Sequence, residues 1–368
     1  MLTVHIKKTF PGFCLDISFE HSSGNLGILG ASGSGKSMTL KCIAGIERPQ
    51  EGCIAVNGRV LFDAKKGIDL QPRQRRVGYL FQDYALFPNM TVEENIGIGI
   101  RDRSRRRQEA AGLIRRFQLE GLEKRYPGQL SGGQRQRAAL ARMMAAKPEL
   151  ILLDEPFSAM DGYLKEKLQY ELMGFLKDYP GDMVLVSHSR DDIYRFQPEV
   201  VAIDEGQVLQ AGSLWEVFLR PANYKVARLT GCNNISPIIR TGANEVYAVD
   251  WDLPLTTAEP VDGDIRYVGI RAHDIRLGSI GICREEERFD DRKEERRKEE
   301  RRKENIIRME LLDVVDSPFE YLYHIRAAGS SAKAPIWWKA YKDLNVNASP
   351  ESFPRDMHIP KEKLLLLS

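Results

Sequence analysis

The feature that most constrains the fold is the stretch Gly30-Ala-Ser-Gly-Ser-Gly-Lys-Ser37, which fits the pattern G-x-x-x-x-G-K-[ST]. Its glycines, including Gly33 and Gly35, allow backbone conformations that a side chain would forbid, so that successive N–H groups can form a nest for phosphate oxygens. A helix is expected to begin near Gly35 and to direct the positive end of its dipole at the same anion. The short apolar run 25–29 predicts a buried strand that leads into this loop.

Polar side chains at the loop and at a later strand end predict a site for phosphates and a metal. Lys36 is placed to reach β- and γ-phosphates, and the Ser37 hydroxyl is placed to ligate Mg²⁺. The segment 148–156 reads as a buried strand ending in Asp154, suited to hold Mg²⁺, and Glu155, suited to polarise a water as general base. Such an acidic pair can also be a plain cap or turn, but the neighbouring phosphate loop favours function.

Three further features are ambiguous when taken alone. Gln82 ends a predicted strand, where it can sense Mg²⁺ or a water, although such a glutamine is more often a surface residue. His188 ends another strand at the edge where open α/β sheets bind ligands, although a lone histidine is usually structural. Phe10 and Phe13 are either core or turn residues or adenine-stacking residues, and Phe10 is the better stacking candidate.

Composition excludes several classes of function. With 368 residues, 42% of them hydrophobic, the chain is long enough for two domains. A net charge of +2 gives no global basic field for nucleic acid or an anionic membrane. The scattered cysteines predict free thiols in a reducing compartment. No signal-peptide core is apparent, and no apolar run approaches the roughly 20 residues that span a bilayer, so a membrane role is expected to need partner chains.

The order of motifs over about residues 1–230 resembles the ATP-binding cassette (ABC) ATPases. The resemblance rests on the Walker A loop 30–37, the Q-loop glutamine Gln82, the signature Leu130-Ser-Gly-Gly-Gln134, the Walker B pair at 154–155, the D-loop 158–161 and the switch histidine His188. It implies an α/β P-loop NTPase fold. The one small departure is Met160 in place of the usual leucine, an apolar swap of similar volume.

The resemblance also implies a mechanism, with ATP and Mg²⁺ as cofactors. The expected nucleotide-binding residues are Phe10, Gly30, Ala31, Ser32, Gly33, Ser34, Gly35, Lys36 and Ser37. The expected catalytic residues are Glu155, His188 and Gln82, and the expected Mg²⁺ ligands are Ser37, Gln82 and Asp154. The residues expected to act on the opposite subunit of a head-to-tail homodimer are Ser131, Gly132, Gly133 and Gln134, with Asp161 linking the two sites.

For partners, the resemblance implies integral membrane permease subunits, which the loop Tyr84–Asn95 would contact, and an extracytoplasmic substrate-binding protein. The chain would then lie at the cytoplasmic face of the membrane. Segments 57–67 and 75–83 most resemble molybdate importer ATPases, so molybdate or tungstate is the expected solute. Sulfate, thiosulfate or another small solute is the alternative. A soluble ABC protein acting on ribosomes or DNA is a remote third reading, and the signature and Glu155 argue against a P-loop kinase.

The C-terminal part is expected to be a separate small all-β barrel that resembles the TOBE domain of import ATPases, with an OB-like fold. The boundaries expected are 1–229 for the ATPase domain and 230–368 for this domain. In relatives such a domain either helps cassettes pair or also binds the imported oxyanion, and a purely structural role is slightly favoured here. Residues 284–304 are almost entirely charged and read as a solvated, partly helical insertion.

Overall fold

The computed structural model describes residues 1–158, 162–176, 179–277, 302–342 and 356–368, with the backbone alone at 162–164. The expected D-loop aspartate Asp161 and residues 284–301 of the charged insertion lie outside the described residues. The chain divides into two compact units, Met1–Val217 and Phe218–Ser368. No helix among the described residues is long and apolar enough to cross a membrane.

The first unit is built on one mixed sheet, which has eleven strands among the described residues. Its order is β6-β5-β4-β1-β2-β11-β10-β3-β9-β8-β7. The strands are β1 (Leu2–Phe10), β2 (Phe13–His21), β3 (Asn25–Leu29), β4 (Glu51–Val56), β5 (Arg59–Asp63), β6 (Ile68–Asp69), β7 (Val77–Leu80), β8 (Leu150–Asp154), β9 (Asp182–Ser187), β10 (Glu199–Asp204) and β11 (Gln207–Ser213). The first two strands form a hairpin, in which β1 and β2 are paired from Leu2–His21 to Phe10–Phe13.

Helices cover this sheet. They are α1 (Lys36–Ala44), α2 (Pro72–Arg75), α3 (Val92–Gly97), α4 (Arg106–Arg116), α5 (Gly132–Ala145), α6 (Gly162–Leu176) and α7 (Arg190–Phe196), with a 3₁₀ turn at Pro127–Gln129. Helix α8 (Leu214–Leu219) spans the point at which the units divide. The loop expected over 84–95 therefore ends in a short helix, which begins at Val92 because Thr91 and Glu94 form a capping box.

Four neighbouring parallel strands position the site. Strand β3 pairs with β9, β9 with β8, and β8 with β7, all in parallel. Strand β8 is buried at every residue, as a parallel strand covered on both faces should be. One large core cluster contains side chains of α1 together with the β8 residues Leu150 and Leu152. The carboxyl ends of these strands meet at one sheet edge, where ligands of open α/β sheets bind.

The second unit is mostly β. Its described residues form two antiparallel five-stranded sheets, ordered β14-β13-β12-β15-β21 and β16-β20-β17-β18-β19. The strands are β12 (Asn234–Arg240), β13 (Glu245–Ala248), β14 (Leu253–Thr256), β15 (Tyr267–Ile270), β16 (Arg276–Leu277), β17 (Ile306–Asp316), β18 (Glu320–Ala327), β19 (Ile336–Tyr341), β20 (Asp356–His358) and β21 (Leu365–Leu367). Helix α9 (Tyr224–Leu229) and a 3₁₀ turn, Lys361–Lys363, complete the unit. Both sheets contribute to one core cluster, which includes Trp251, Tyr323 and Trp338.

The division between the units comes earlier than the expected boundary after residue 229. Helix α9, which lies within the range expected for the first domain, contributes Ala227 to a buried cluster with Cys232 and Leu367 of the second unit. Its first residue, Tyr224, also donates its N–H to the carbonyl oxygen of Ser368 at 3.2 Å. These packing partners explain the difference, because motif spacing alone cannot show which core a short helix joins.

Candidate nucleotide and metal site

The loop between β3 and α1 depends on glycine for two different physical reasons. Gly35 caps α1 at φ 102°, a left-handed conformation that side chains disfavour. Gly30 is needed for space instead, because a Cβ there would lie 2.3 Å from the carbonyl oxygen of Ile203. Inside the loop the Ser34 hydroxyl is buried and has no hydrogen-bond partner in the described structure. A buried polar atom without a partner is costly, so the loop is suited to an incoming polar group.

Lys36 is the buried cation of the site. Its side chain is 4% exposed, and its Nζ donates to the Ala31 carbonyl at 2.7 Å and lies 4.0 Å from Glu155 Oε1. Burial lowers the pKa of Lys36, and the nearby charges of Glu155 and Asp154 partly oppose this shift. The ammonium is thus poorly solvated and lies among acceptors, so an anion in the loop would stabilise its charged form.

Asp154 is held by two hydroxyl groups. Ser37 Oγ donates to its Oδ1 and the Tyr79 hydroxyl donates to its Oδ2, both at 2.7 Å. The strand register explains this convergence, because Tyr79 pairs with Leu152 and the side chain two residues beyond Leu152 points to the same face. Burial beside the carboxylate raises the pKa of Tyr79, so its hydroxyl remains a donor at neutral pH.

Glu155 is the next carboxylate along the chain and faces a histidine. It adopts a φ of 45°, which is uncommon for a non-glycine residue and ends the strand abruptly. Its N–H donates to the Val186 carbonyl at 3.0 Å, which fixes the bend against β9. Its Oε2 lies 3.0 Å from Nδ1 of His188, whose side chain is half exposed. A strained backbone at the end of a buried strand thus directs this carboxylate into the site.

Gln82 reaches the site through Ser158. Its Nε2 donates to Ser158 Oγ at 3.0 Å, and that hydroxyl donates in turn to the Glu155 carbonyl at 3.0 Å. Gln82 is exposed, and no hydrogen bond within the described ranges joins it to Asp154 or Ser37. Its expected place among the Mg²⁺ ligands therefore remains a prediction.

The expected signature residues begin α5. Ser131 is its N-cap: the hydroxyl accepts from Gln134 N–H at 3.3 Å, and Gln134 Oε1 accepts from the Ser131 N–H at 2.9 Å. Within the described part of the chain no hydrogen bond or ion pair joins Ser131, Gly132, Gly133 or Gln134 to the phosphate loop. The fourteen-residue helix directs the positive end of its dipole outward near Gly132, and the role expected for these residues stays a prediction.

The two candidate aromatic residues differ in position. Phe13 packs on the large core cluster, and a Cβ on Gly35 would lie 3.2 Å from its ring. Phe10 lies 6.3 Å from Phe13 between ring centroids, is partly exposed, and has Lys8 Nζ 5.2 Å from its own centroid. Phe13 therefore lies against the phosphate loop, and because both rings are partly exposed, the choice of Phe10 for stacking stays a prediction.

The loop over 84–95 is less exposed than its composition suggests. Phe87 is exposed, whereas Leu86 and Met90 are only partly so. Arg142 of α5 fastens the loop by donating to the carbonyl oxygens of Ala85 and Tyr84 at 2.8 and 3.2 Å. The guanidinium of Arg142 also lies 5.1 Å from the Phe87 ring centroid.

The donor set suits Mg²⁺. A hydroxyl and a carboxylate oxygen lie side by side at Ser37 and Asp154, next to the predicted phosphate site. No group of three or more His, Cys, Asp or Glu residues forms a metal cage among the residues that the structure describes. Mg²⁺ is usually held by one or two carboxylates together with substrate phosphates, so an all-protein cage is not required.

Sequence reasoning missed Tyr79 and Ser158 as parts of the site. The Tyr79 hydroxyl meets a carboxylate 75 positions away, and only the pairing register of β7 and β8 brings the two together. The alternation within β7 could have indicated the face of Tyr79, but not its partner. Ser158 lay within a quoted motif, yet no spacing rule assigns it to Gln82.

Together, the strand–loop–helix and the charged groups at the ends of the neighbouring strands define an α/β protein that binds phosphate groups. Residues 14–158 match the family model described as ABC transporter. The chain belongs to this family, as an ATP-binding subunit of importer type, and it is an ATPase.

Two curated relatives illustrate the similarity. The sulfate/thiosulfate import ATP-binding protein CysA of Brucella melitensis biotype 1 is 38% identical over 283 residues, 74% of this chain and 77% of the relative. The spermidine/putrescine import ATP-binding protein PotA of Oleidesulfovibrio alaskensis is 34% identical over 328 residues, 86% of this chain and 85% of the relative.

A solved structure shows the same cassette fold. It is the dimeric structure of MJ0796, described as a bacterial ABC transporter cassette. It is 27% identical and superposes with a TM-score of 0.50, covering 58% of this chain and 99% of that one. The prediction of an ABC cassette is therefore confirmed.

Proposed function

We propose that this chain is the ATP-hydrolysing subunit of an oxyanion importer, and that it works as a head-to-tail homodimer of cassettes. The observation that carries the proposal is the meeting of Lys36, Asp154 and Glu155 at one edge of the parallel sheet. The relatives' names support the importer class, and the dimeric cassette of similar fold supports the pairing.

In this proposal the loop 30–37 wraps the phosphates of ATP with its N–H groups, and the buried Lys36 exchanges the Ala31 carbonyl for phosphate oxygens. Ser37 and Asp154 hold Mg²⁺, with Gln82 joining from the neighbouring strand end. Bound Mg²⁺ would neutralise charge on the β- and γ-phosphate oxygens. Phe10 supplies a face for the adenine ring.

Glu155 serves as general base for the attacking water. The imidazole of His188, 3.0 Å away, keeps the carboxylate oriented. Gln82 is linked to the backbone of Glu155 through the Ser158 hydroxyl, so its side chain responds to changes at Glu155. A general base placed within hydrogen-bond reach of its water typically contributes 10²- to 10⁴-fold. When ATP draws Lys36 towards its phosphates, Glu155 loses the ion pair at 4.0 Å and becomes a freer acceptor.

The capping box at Ser131 explains how the second cassette would take part. It fixes the first turn of α5, with Gly132 and Gly133 free of bulky side chains, so that the N–H groups can face the γ-phosphate of the partner's ATP. Such preorganised donors stabilise developing charge only when the dimer is closed. Asp161 is proposed to link the two sites.

The proposed partners are integral membrane permease subunits and an extracytoplasmic substrate-binding protein, with no nucleic acid. The loop 84–95 is the proposed permease contact, because Phe87 is exposed while Arg142 holds the surrounding backbone in place. Such a contact would place the chain at the cytoplasmic face of the membrane. The second unit is proposed to be a TOBE-like domain that helps cassettes pair.

The solute class in this proposal follows from the names of the relatives. The names of the relatives above include sulfate/thiosulfate and spermidine/putrescine. They support an oxyanion through sulfate, but they give no support to the molybdate or tungstate expected from the wording of segments 57–67 and 75–83. Molybdate and sulfate are both tetrahedral dianions, so the proposal keeps both and lets uptake decide between them.

The test is uptake of labelled molybdate, sulfate and spermidine in cells with and without this chain, with Lys36→Ala as the inactive control. Loss of molybdate or sulfate uptake, restored by the wild-type chain but not by Lys36→Ala, supports the proposal and names the solute. Loss of spermidine uptake alone refutes the oxyanion assignment while keeping the importer. No change in any uptake contradicts an importer of these solutes.

A further inference from the structure

The proposed mechanism gives Tyr79 no role, although it touches the carboxylate at the centre of the site. Its hydroxyl donates to Asp154 Oδ2 at 2.7 Å, a well-formed O–H···O hydrogen bond. Its ring lies 4.4 Å from that of Phe81 between centroids and packs against the large core cluster. The hydroxyl is thus held in place by packing on one side and by the carboxylate on the other.

This contact restrains a side chain that is otherwise loosely defined. The terminal torsion of an aspartate is broad, so a carboxylate at a strand end can rotate about its last bond. Here one oxygen of Asp154 is tied to Ser37 on α1 and the other to Tyr79 on β7. Two fixed donors from different elements define the plane of the carboxylate, and Oδ1 is left facing the Ser37 hydroxyl.

We propose that Tyr79 is a positioning residue that holds Asp154 in the orientation needed to bind Mg²⁺ together with the nucleotide. The proposal rests on the metal site proposed above, with Ser37 and Asp154 as ligands. Groups that hydrogen-bond to metal ligands orient them, and removing such a group typically costs about 10- to 100-fold in metal affinity or activity. The expected cost here is at the lower end, because Ser37 still holds one oxygen.

The alternative is that Tyr79 only fills the core. The chain offers a matched control in Tyr179, whose hydroxyl also donates to an acceptor near β8, but one that precedes the amino end of that strand. That bond goes to the Pro148 carbonyl at 3.0 Å. Tyr79→Phe and Tyr179→Phe each remove one hydroxyl and leave the ring, so a general loss of stability would affect both in similar ways.

The experiment uses the full-length chain and two measurements. The first is the Mg²⁺ concentration that gives half-maximal ATPase activity. The second is the affinity for a fluorescent ATP analogue, titrated once with Mg²⁺ and once with EDTA. For Tyr79→Phe we expect about a tenfold higher half-maximal Mg²⁺ concentration and about tenfold weaker binding with Mg²⁺, with no change in EDTA. Tyr179→Phe is expected to match the wild type in both.

A double-mutant cycle separates orientation of Asp154 from other effects. In an Asp154→Asn background, Tyr79→Phe should add almost nothing to the loss of Mg²⁺-dependent binding, because both changes remove the same interaction. The proposal is overturned if Tyr79→Phe binds as the wild type does with Mg²⁺, or weakens binding equally in EDTA. If the wild type itself hydrolyses ATP without needing Mg²⁺, the metal site is wrong and this proposal falls with it.

Discussion

At the scale of single residues, the site is defined by polar and charged groups that are costly to bury. Lys36 is almost fully buried, and its nearest acceptors are a backbone carbonyl and a carboxylate 4.0 Å away. The Ser34 hydroxyl, which has no hydrogen-bond partner among the residues that the structure describes, lies in the same loop. Binding sites often keep such destabilising groups because a ligand stabilises them, so stability and function should respond to mutation in opposite directions.

Lys36→Met tests this trade-off. Without nucleotide we expect a free energy of unfolding higher than that of the wild type by roughly 1 kcal/mol, because a buried ammonium is replaced by an apolar chain of similar length. With nucleotide at 100 times its dissociation constant, the wild type should gain about 2.7 kcal/mol and the variant nothing. Thermal unfolding with and without Mg²⁺ and ATP measures both.

The difference in stability between Lys36→Met and the wild type should also depend on pH, in a direction that the pKa of Lys36 predicts. The pKa of Lys36 lies below 10.5 in the folded protein because burial lowers it, so the folded state binds the proton less tightly than the unfolded state does. The buried charge therefore destabilises the folded state to its full extent below the folded-state pKa, and this destabilisation disappears as the pH rises towards 10.5. The difference in the free energy of unfolding between Lys36→Met and the wild type should therefore become smaller over that pH range. A difference that does not change with pH would contradict this prediction.

At the scale of elements, the helix that carries the phosphate loop is held at its other end. Arg75, whose side chain is fully buried, donates to the carbonyl oxygens of Cys42 and Ile43 in the last turn of α1, at 2.8 and 2.9 Å. It also donates to the Leu70 carbonyl and to Asp69 Oδ1. A cation at the carboxyl end of a helix complements the dipole whose positive end faces the phosphates.

Arg75→Met should therefore destabilise the first unit strongly. It removes one donor from each of three carbonyl oxygens, of which that of Cys42 keeps the N–H of Gly45, and it leaves Asp69 with Arg48 alone. The expected loss in the free energy of unfolding is about 3 kcal/mol. Arg73→Met, in the same short helix α2 but at an exposed position, should change it by less than about 0.5 kcal/mol. Urea unfolding of both variants measures the difference, and equal losses would show that burial of Arg75 is not the cause.

Sequence reasoning succeeded where local chemistry dictates the structure and failed where distant residues meet. The loop at Gly33 and Gly35 was predictable because only glycine readily adopts its positive φ angles. The helix at Val92 was missed within an apolar loop, although the Thr91 and Glu94 capping box is itself a local signal. The contacts of Tyr79 and Arg75 depend on strand register and helix packing, which a single sequence does not specify.

At the scale of the whole molecule, the second unit illustrates the same limit. Its β content agrees with the expected all-β domain, but the sequence did not show that two sheets share one core. The sheets are joined by the side-chain amide of Asn234 in β12, which is 2% exposed. Its Nδ2 donates to the Trp337 carbonyl at 2.8 Å and its Oδ1 accepts from the Trp337 N–H at 2.7 Å. One side chain thus satisfies both polar backbone groups of a residue in β19, as a neighbouring strand would do.

Asn234→Ala tests how much the hydrogen bonds between Asn234 and Trp337 contribute to stability, apart from apolar packing. Both backbone groups of Trp337 lose their partner, so we expect the free energy of unfolding to fall by about 2 kcal/mol. Asn244→Ala is the matched control. Asn244 Nδ2 makes one long hydrogen bond, 3.4 Å to the Thr257 carbonyl, so this substitution should lower the free energy of unfolding by less than about 0.5 kcal/mol.

Three of the four tryptophans, Trp251, Trp337 and Trp338, lie in the second unit, so tryptophan fluorescence during urea unfolding reports mainly on it. ATPase activity before the transition should equal that of the wild type, because the bridge lies outside the nucleotide site. A variant as stable as the wild type would mean that water replaces the amide, and the two sheets would then be held by their apolar core alone.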